Sequence, residues 1–159
     1  MIEPRAVLVV DDDPNDRALV ARALRAGFDG VRCREIGDAA GLEAAFGDGG
    51  FDAVVTDYQL LWTTGLDVLR ASRARFPDVP VVMFTDTGSE EVCAQAMREG
   101  LHDYILKRPH HYMLLPAAVR SGLAVAHARR AVREHQAALQ EALAAEQAAR
   151  EGAERADRL

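Results

Sequence analysis

The chain has 159 residues, 49% of them hydrophobic and 28% charged, and a formal net charge of −6. That is enough apolar material for one real core plus an appendage, and the negative balance argues against a nucleic-acid-binding surface. From Ser121 onward six positive and six negative side chains cancel, so the whole acidic excess lies in residues 1–120. The apolar run Ala6 to Val10 is too short for a signal peptide and stops at three aspartates. No stretch of about 20 apolar residues exists to span a bilayer. The expectation is a cytoplasmic protein with no membrane partner. Cys33 and Cys93 lack metal-type spacing and read as two buried thiols in a reducing compartment.

The first strand is expected over Ala6 to Val10, apolar throughout as in a sheet covered on both faces. Asp13-Pro14 reads as a helix cap followed by a first-turn proline. Leu19, Val20, Ala23 and Leu24 then recur at helical spacing until Gly27. Val31 to Ile36, with charged neighbours, reads as an edge strand. Asp38 can cap a helix carrying Leu42 and Phe46, and Gly47, Gly49 and Gly50 read as the turn after it. Ala53-Val54-Val55 is a buried strand that ends on Thr56-Asp57. After a loop over Tyr58 to Thr64, Gly65 opens a helix with Leu66, Val68, Leu69 and Phe76, closed by Pro77.

Val81 to Phe84 forms a fourth strand that runs into Thr85, and Ser89 with Glu90 and Glu91 starts a helix that Gly100 ends. Tyr104 to Leu106 is a fifth strand leading to Lys107, and helical patterning resumes near Tyr112. Strand and helix alternate five times, which predicts a doubly wound parallel α/β sheet. From Ala117 to Leu159 there is no proline, and alanine, glutamate, glutamine and arginine dominate. Val125, Ala128, Val132, Leu139, Ala142 and Ala149 fall on one heptad seam, which His135 and Glu146 interrupt. We expect a boundary near residue 122, with 123–159 a helical extension that pairs with a second copy of the chain.

In a parallel sheet, Asp11, Asp12, Asp57, Thr85 and Lys107 collect at the carboxyl edge, where open α/β sheets bind ligands. Carboxylates that close repel one another, and a magnesium ion answers that with oxygen ligands and exchangeable waters. An aspartate beside it is a nucleophile for a phosphoryl group, with Lys107 and Thr85 stabilising the phosphoryl oxygens.

Val7-Leu8-Val9-Val10-Asp11-Asp12-Asp13, Val54-Val55-Thr56-Asp57, Gly65, Phe84-Thr85 and Tyr104-Ile105-Leu106-Lys107, in that order and spacing, resemble the receiver domain of two-component response regulators over roughly Arg5 to Gly122. The resemblance implies a five-stranded flavodoxin-like sheet of order 2-1-3-4-5. It implies Asp57 as phosphoacceptor, and Asp11, Asp12, Asp57 and the Gln59 carbonyl around Mg²⁺. It also implies Lys107 on the phosphoryl oxygens, Thr85 and Tyr104 as the switch pair, and a histidine kinase or histidine phosphotransfer protein as donor. The implied output is regulatory rather than enzymatic. Three departures stand out: Leu61 replaces a common proline, Asp86 replaces a small residue beside Thr85, and Arg108 intervenes between Lys107 and Pro109.

Trp62 is either a docking contact or a cover for its loop, and His110-His111 read as a solvated loop. An alternative reading takes Asp11-Asp12-Asp13 as the motif of haloacid dehalogenase-type phosphatases, with Asp11 as nucleophile. Asn15 breaks that motif. A third, flavin-mononucleotide-carrying reading lacks a Ser/Thr-rich phosphate loop after the first strand.

Overall fold

The computed structural model describes residues 2–158. Five parallel strands form one sheet in the order β2-β1-β3-β4-β5. They are β1 (Ala6–Val10), β2 (Arg32–Ile36), β3 (Ala53–Thr56), β4 (Val81–Thr85) and β5 (Asp103–Leu106). The side-chain alternation of a strand decides the layering. Val7 and Val9 face one side with Val20, Leu24, Phe28, Leu115 and Val119. Leu8 and Val10 face the other with Leu42, Phe46, Leu66, Leu69 and Ala96. Because each central strand is buried on both faces, its sequence is apolar except for the threonines that end β3 and β4, and each fully buried Val or Leu contributes about 2 kcal/mol. The charged β2 lies at an edge, as its composition requires.

Helices α1 (Pro14–Gly27), α2 (Ala39–Asp48), α3 (Gly65–Arg75) and α4 (Glu90–Arg98) each start on a side-chain cap. Asp13 accepts from the Asn15 N–H, Asp38 from Gly41, Thr64 from Asp67 and Ser89 from Val92, so each helix meets its loop at a fixed residue. Gly47 lies inside α2 rather than in the turn; the chain turns at Gly49, which has φ 64°. Leu19 faces outward, 46% exposed, despite its helical spacing with Val20. The two cysteines are half-buried rather than enclosed.

A 3₁₀ turn over Pro109–Leu114 precedes α5 (Leu115–Asp157), a segment that periodicity alone did not separate from the helix. Arg108 is extended there, as a residue before proline tends to be. The chain divides into two compact units between Ala126 and His127. In the first, Leu115, Ala118, Val119, Gly122 and Leu123 of α5 are buried. In the second, every described residue from His127 onward is exposed. No helix among the described residues is long and apolar enough to cross a membrane.

Gly65 closes the loop after β3. Its N–H donates to the Tyr58 carbonyl at 2.6 Å, and a β-carbon there would collide with the Asp57 carbonyl oxygen. Both neighbours are backbone and cannot swing aside. Gly65→Ala is expected to lower the unfolding free energy by about 2 kcal/mol in urea titration. Gly47→Ala, where an added β-carbon meets nothing within 4 Å, is expected to raise it by about 0.5 kcal/mol.

Candidate functional site

The acidic cleft lies at the carboxyl ends of β1, β3 and β5. It encloses about 490 Å³, bordered by Asp11, Asp12, Asp16, Asp57, Gln59, Asp86 and Lys107 among others. Register explains the convergence. Val10 pairs with Thr56 across β1 and β3, so Asp11 and Asp57 each follow a paired residue and leave the sheet side by side. The Asp57 N–H donates to the Val10 carbonyl at 2.9 Å, which fixes the acceptor strand against β1.

Lys107 comes from the far edge and reaches all of this. Its Nζ donates to Asp11 Oδ2 at 2.8 Å, to Asp57 Oδ2 at 2.9 Å and to Asp16 Oδ2 at 3.0 Å. Asp11 and Asp57 are buried, at 3% and 8% exposure. The remaining oxygens are held by backbone: Asp11 Oδ1 by the Asp13 N–H at 2.9 Å and Asp57 Oδ1 by the Tyr58 N–H at 2.6 Å. Asp12 accepts from the Leu61 N–H at 3.2 Å.

Six carboxylates line the cleft, Asp11, Asp12, Asp13, Asp16, Asp57 and Asp86, against the one ammonium of Lys107, which contacts three of them, so the cleft keeps a strong negative excess. Burial pushes the Asp11 carboxyl up to about 6, further than the hydrogen bond from Lys107 pulls it down. For Lys107 burial alone would lower the pKa, but the hydrogen bonds to Asp11 and Asp57 outweigh it and hold the ammonium well above its usual value. Lys107 is therefore always charged, and the uncompensated charge is carboxylate charge. One oxygen each from Asp11, Asp12 and Asp57 lie within 4.8 Å of one another. A small cluster of hard anionic oxygens open to water on one side fits a hard divalent cation that keeps part of its hydration shell.

Thr85 is fully buried, yet its hydroxyl is turned away from Asp57. It donates to the Thr87 carbonyl at 2.9 Å. The Tyr104 hydroxyl donates to the same carbonyl at 3.2 Å, while its half-buried ring packs against the α2/α3/α4 side of the core. Burial pushes the Tyr104 phenol up, so it stays protonated and a donor. Gly88 makes room for that hydroxyl, since a β-carbon there would collide with it.

Asp11, Asp12, Asp57 and Lys107 thus meet as expected from sequence, and Gln59 borders the cleft. Asp13 lines the cleft too, but its carboxylate caps α1 by accepting from the Asn15 N–H at 2.8 Å. Two participants were missed. Asp16 lies in the first turn of α1, three residues beyond the Asp13 cap, and an acidic residue so close to the strand end was the available signal. Thr87 acts through its backbone carbonyl, which leaves no trace in residue type. Trp62 is half-buried against the core, its indole N–H without a protein partner. His110 and His111 lie in the 3₁₀ turn with their rings edge to face, and His111 Nδ1 is 2.7 Å from the Leu106 carbonyl. The phosphatase alternative is not favoured, because Asn15 breaks its motif.

The model of the response regulator receiver domain family matches residues 7–119. The chemotaxis protein CheY of Pseudomonas aeruginosa is 33% identical over 104 residues, 64% of this chain and 82% of that protein. The C4-dicarboxylate transport transcriptional regulatory protein DctD of the same organism is 34% identical over 121 residues, covering 75% of this chain. NtrX from Brucella abortus, solved in complex with ADP, superposes with a TM-score of 0.73 at 30% identity over 83% of this chain. The chain spans 25% of the length of DctD and 30% of NtrX. A matching family model, a CheY relative covered over most of its length, and the 2-1-3-4-5 sheet with its acidic edge agree: the chain belongs to the response regulator receiver domain family.

Proposed function

We propose that this chain is a phosphorylation-dependent switch of a cytoplasmic two-component system. In this reading Asp57 accepts a phosphoryl group from a histidine kinase or histidine phosphotransfer protein. The observation that carries it is Asp57 itself, a buried carboxylate fixed between the Tyr58 N–H and Lys107 Nζ within reach of Asp11 and Asp12. Asp11, Asp12, Asp57 and the backbone carbonyl of Gln59 would hold Mg²⁺. When bound, the ion supplies positive charge against the phosphoryl oxygens and relieves the carboxylate excess.

The step is a displacement at phosphorus. A carboxylate oxygen of Asp57 forms the new P–O bond, and the P–N bond of the donor phosphohistidine breaks with its electron pair leaving on the imidazole nitrogen. Lys107 follows the developing charge on one phosphoryl oxygen. Thr85 turns its hydroxyl from the Thr87 carbonyl to another, and the Tyr104 hydroxyl gives up its own bond to that carbonyl as the ring turns inward. The ring moves into the space that Thr85 leaves and alters the face made by α4, β5 and α5. Met97 and Leu106, both exposed, lie on that face. Residues 1–122 form the receiver and 123–159 the helical extension, which joins two copies and carries the change onward. The chain itself is regulatory, its chemistry limited to its own phosphorylation and dephosphorylation.

Incubation with a phosphoramidate-type donor and Mg²⁺ is expected to give one hydroxylamine-sensitive phosphate per chain. Asp57→Asn should abolish it, whereas loss in Asp11→Asn with retention in Asp57→Asn would return the phosphatase reading. Lys107→Met leaves Asp11 and Asp57 without their counterion. It is expected to destabilise the fold by about 2 kcal/mol at neutral pH in urea titration, in line with the loss of one partner from a partly buried ion pair. Added Mg²⁺ should recover part of that loss.

Asp86 borders the cleft and is exposed. Its charge meets an incoming anionic donor, so Asp86→Ala should load faster from small acyl phosphates and lose phosphate sooner. Unchanged rates in both directions would remove Asp86 from the account.

A further inference from the structure

α5 leaves a heptad face uncovered. Val132, Leu139 and Leu143 are each more than half exposed, and the two polar interruptions, His135 and Glu146, lie on the same seam as Val132 and Leu139. This step rests on the dimer reading above and asks how two such helices would pair.

A parallel, in-register pair sets each seam residue against its own copy. Glu146 then meets Glu146 and His135 meets His135, two unfavourable layers in a seam whose other members are mostly alanine. The flanks offer no relief. The positions that would reach across a parallel pair on one side are Ala131, Ala138, Ala145 and Gly152, so no ion pair can form there.

We propose that the extension pairs with a second copy antiparallel, centred between residues 140 and 141. In that register the seam layers are Leu139 with Ala142, His135 with Glu146, Val132 with Ala149, Ala128 with Ala153 and Val125 with Ala156. Both interruptions fall in one layer and become partners, an imidazole against a carboxylate, at each end of the apolar centre. A shift of one heptad in either direction breaks the match and sets each against an apolar residue. A polar layer of this kind fixes register at some cost in affinity.

The charge distribution points the same way. Residues 127–140 carry Arg129, Arg130 and Arg133 against Glu134, a net of +2. Residues 141–158 carry Glu141, Glu146, Glu151, Glu154 and Asp157 against Arg150, Arg155 and Arg158, a net of −2. The antiparallel pair lays each half on its opposite, whereas the parallel pair lays like on like. One like-charge approach results, Arg129 toward Arg150 of the second copy. It lies at the solvent edge, where Glu146 already reaches Arg150 at 3.4 Å within its own helix.

The test uses the full chain with Cys33→Ser and Cys93→Ser, and adds Val132→Cys in one preparation and Ala149→Cys in another. Like positions in the antiparallel pair lie about 25 Å apart at about 1.5 Å per residue, far beyond the Cα separation of about 4.4–6.8 Å that a disulfide allows. Under mild oxidation the mixed preparations should give a disulfide-linked dimer and neither variant alone should do so. Sedimentation on the same samples separates the two levels of the argument. A monomer at every concentration overturns the dimer reading and this orientation with it. A dimer in which Val132→Cys links to itself, or in which the mixture fails to link, keeps the dimer and overturns the antiparallel arrangement.

A charge exchange provides an independent arm. His135→Glu should weaken the dimer by about tenfold, and adding Glu146→Lys should restore it. In a parallel pair the second change restores nothing.

Discussion

A single ammonium group held among buried carboxylates is the constraint on which the site depends. From the end of edge strand β5, Lys107 reaches Asp57 beyond β3 and Asp11 beyond β1, and these contacts hold only if β1, β3, β4 and β5 end at one level. The arrangement is short of positive charge: with six acids and one base lining the cleft, the folded chain holds repulsion that a divalent cation would relieve. In the proposed function that links folding to function, because the repulsion that lowers stability would favour binding the ion.

The proposed conformational response rests on the same geometry. Thr85 belongs to a fully buried strand but spends its hydroxyl on the loop carbonyl of Thr87, which also receives the Tyr104 hydroxyl. Two side chains on different strands therefore share one backbone acceptor, whose two lone pairs accommodate both. In the proposed switch a phosphoryl group draws the Thr85 hydroxyl away, and it needs to favour the altered state by only a few kcal/mol to repopulate it. Gly88, with no β-carbon to collide with the phenol, is what lets the two hydroxyls share.

The strands were legible because each central one is a continuous apolar run up to its carboxyl end, as a doubly covered parallel sheet requires. The acidic cluster was legible because Asp11, Asp12, Asp57 and Lys107 each sit at or just beyond a strand's carboxyl end, where topology alone brings them together. What sequence did not reveal depended on neighbours distant in the chain. The extra contact from Asp16 arises because Lys107 is held close to α1. The role of the Thr87 carbonyl is invisible because any residue type presents the same atom. The 3₁₀ turn at Pro109–Leu114 shares its apolar residues with the helix that follows, so no change of period marks it. Leu19 has core-like spacing but faces outward, since periodicity sets a stripe and not its width.

The proposed switch depends on the carboxylate cluster being a cation site, and calorimetric titration of Mg²⁺ tests that most directly. The wild-type chain should bind one ion, and Asp12→Asn, which leaves the Lys107 contacts in place, should lose that binding while remaining folded. A wild-type chain that takes up no Mg²⁺, or an Asp12→Asn chain that binds it equally well, would contradict the account.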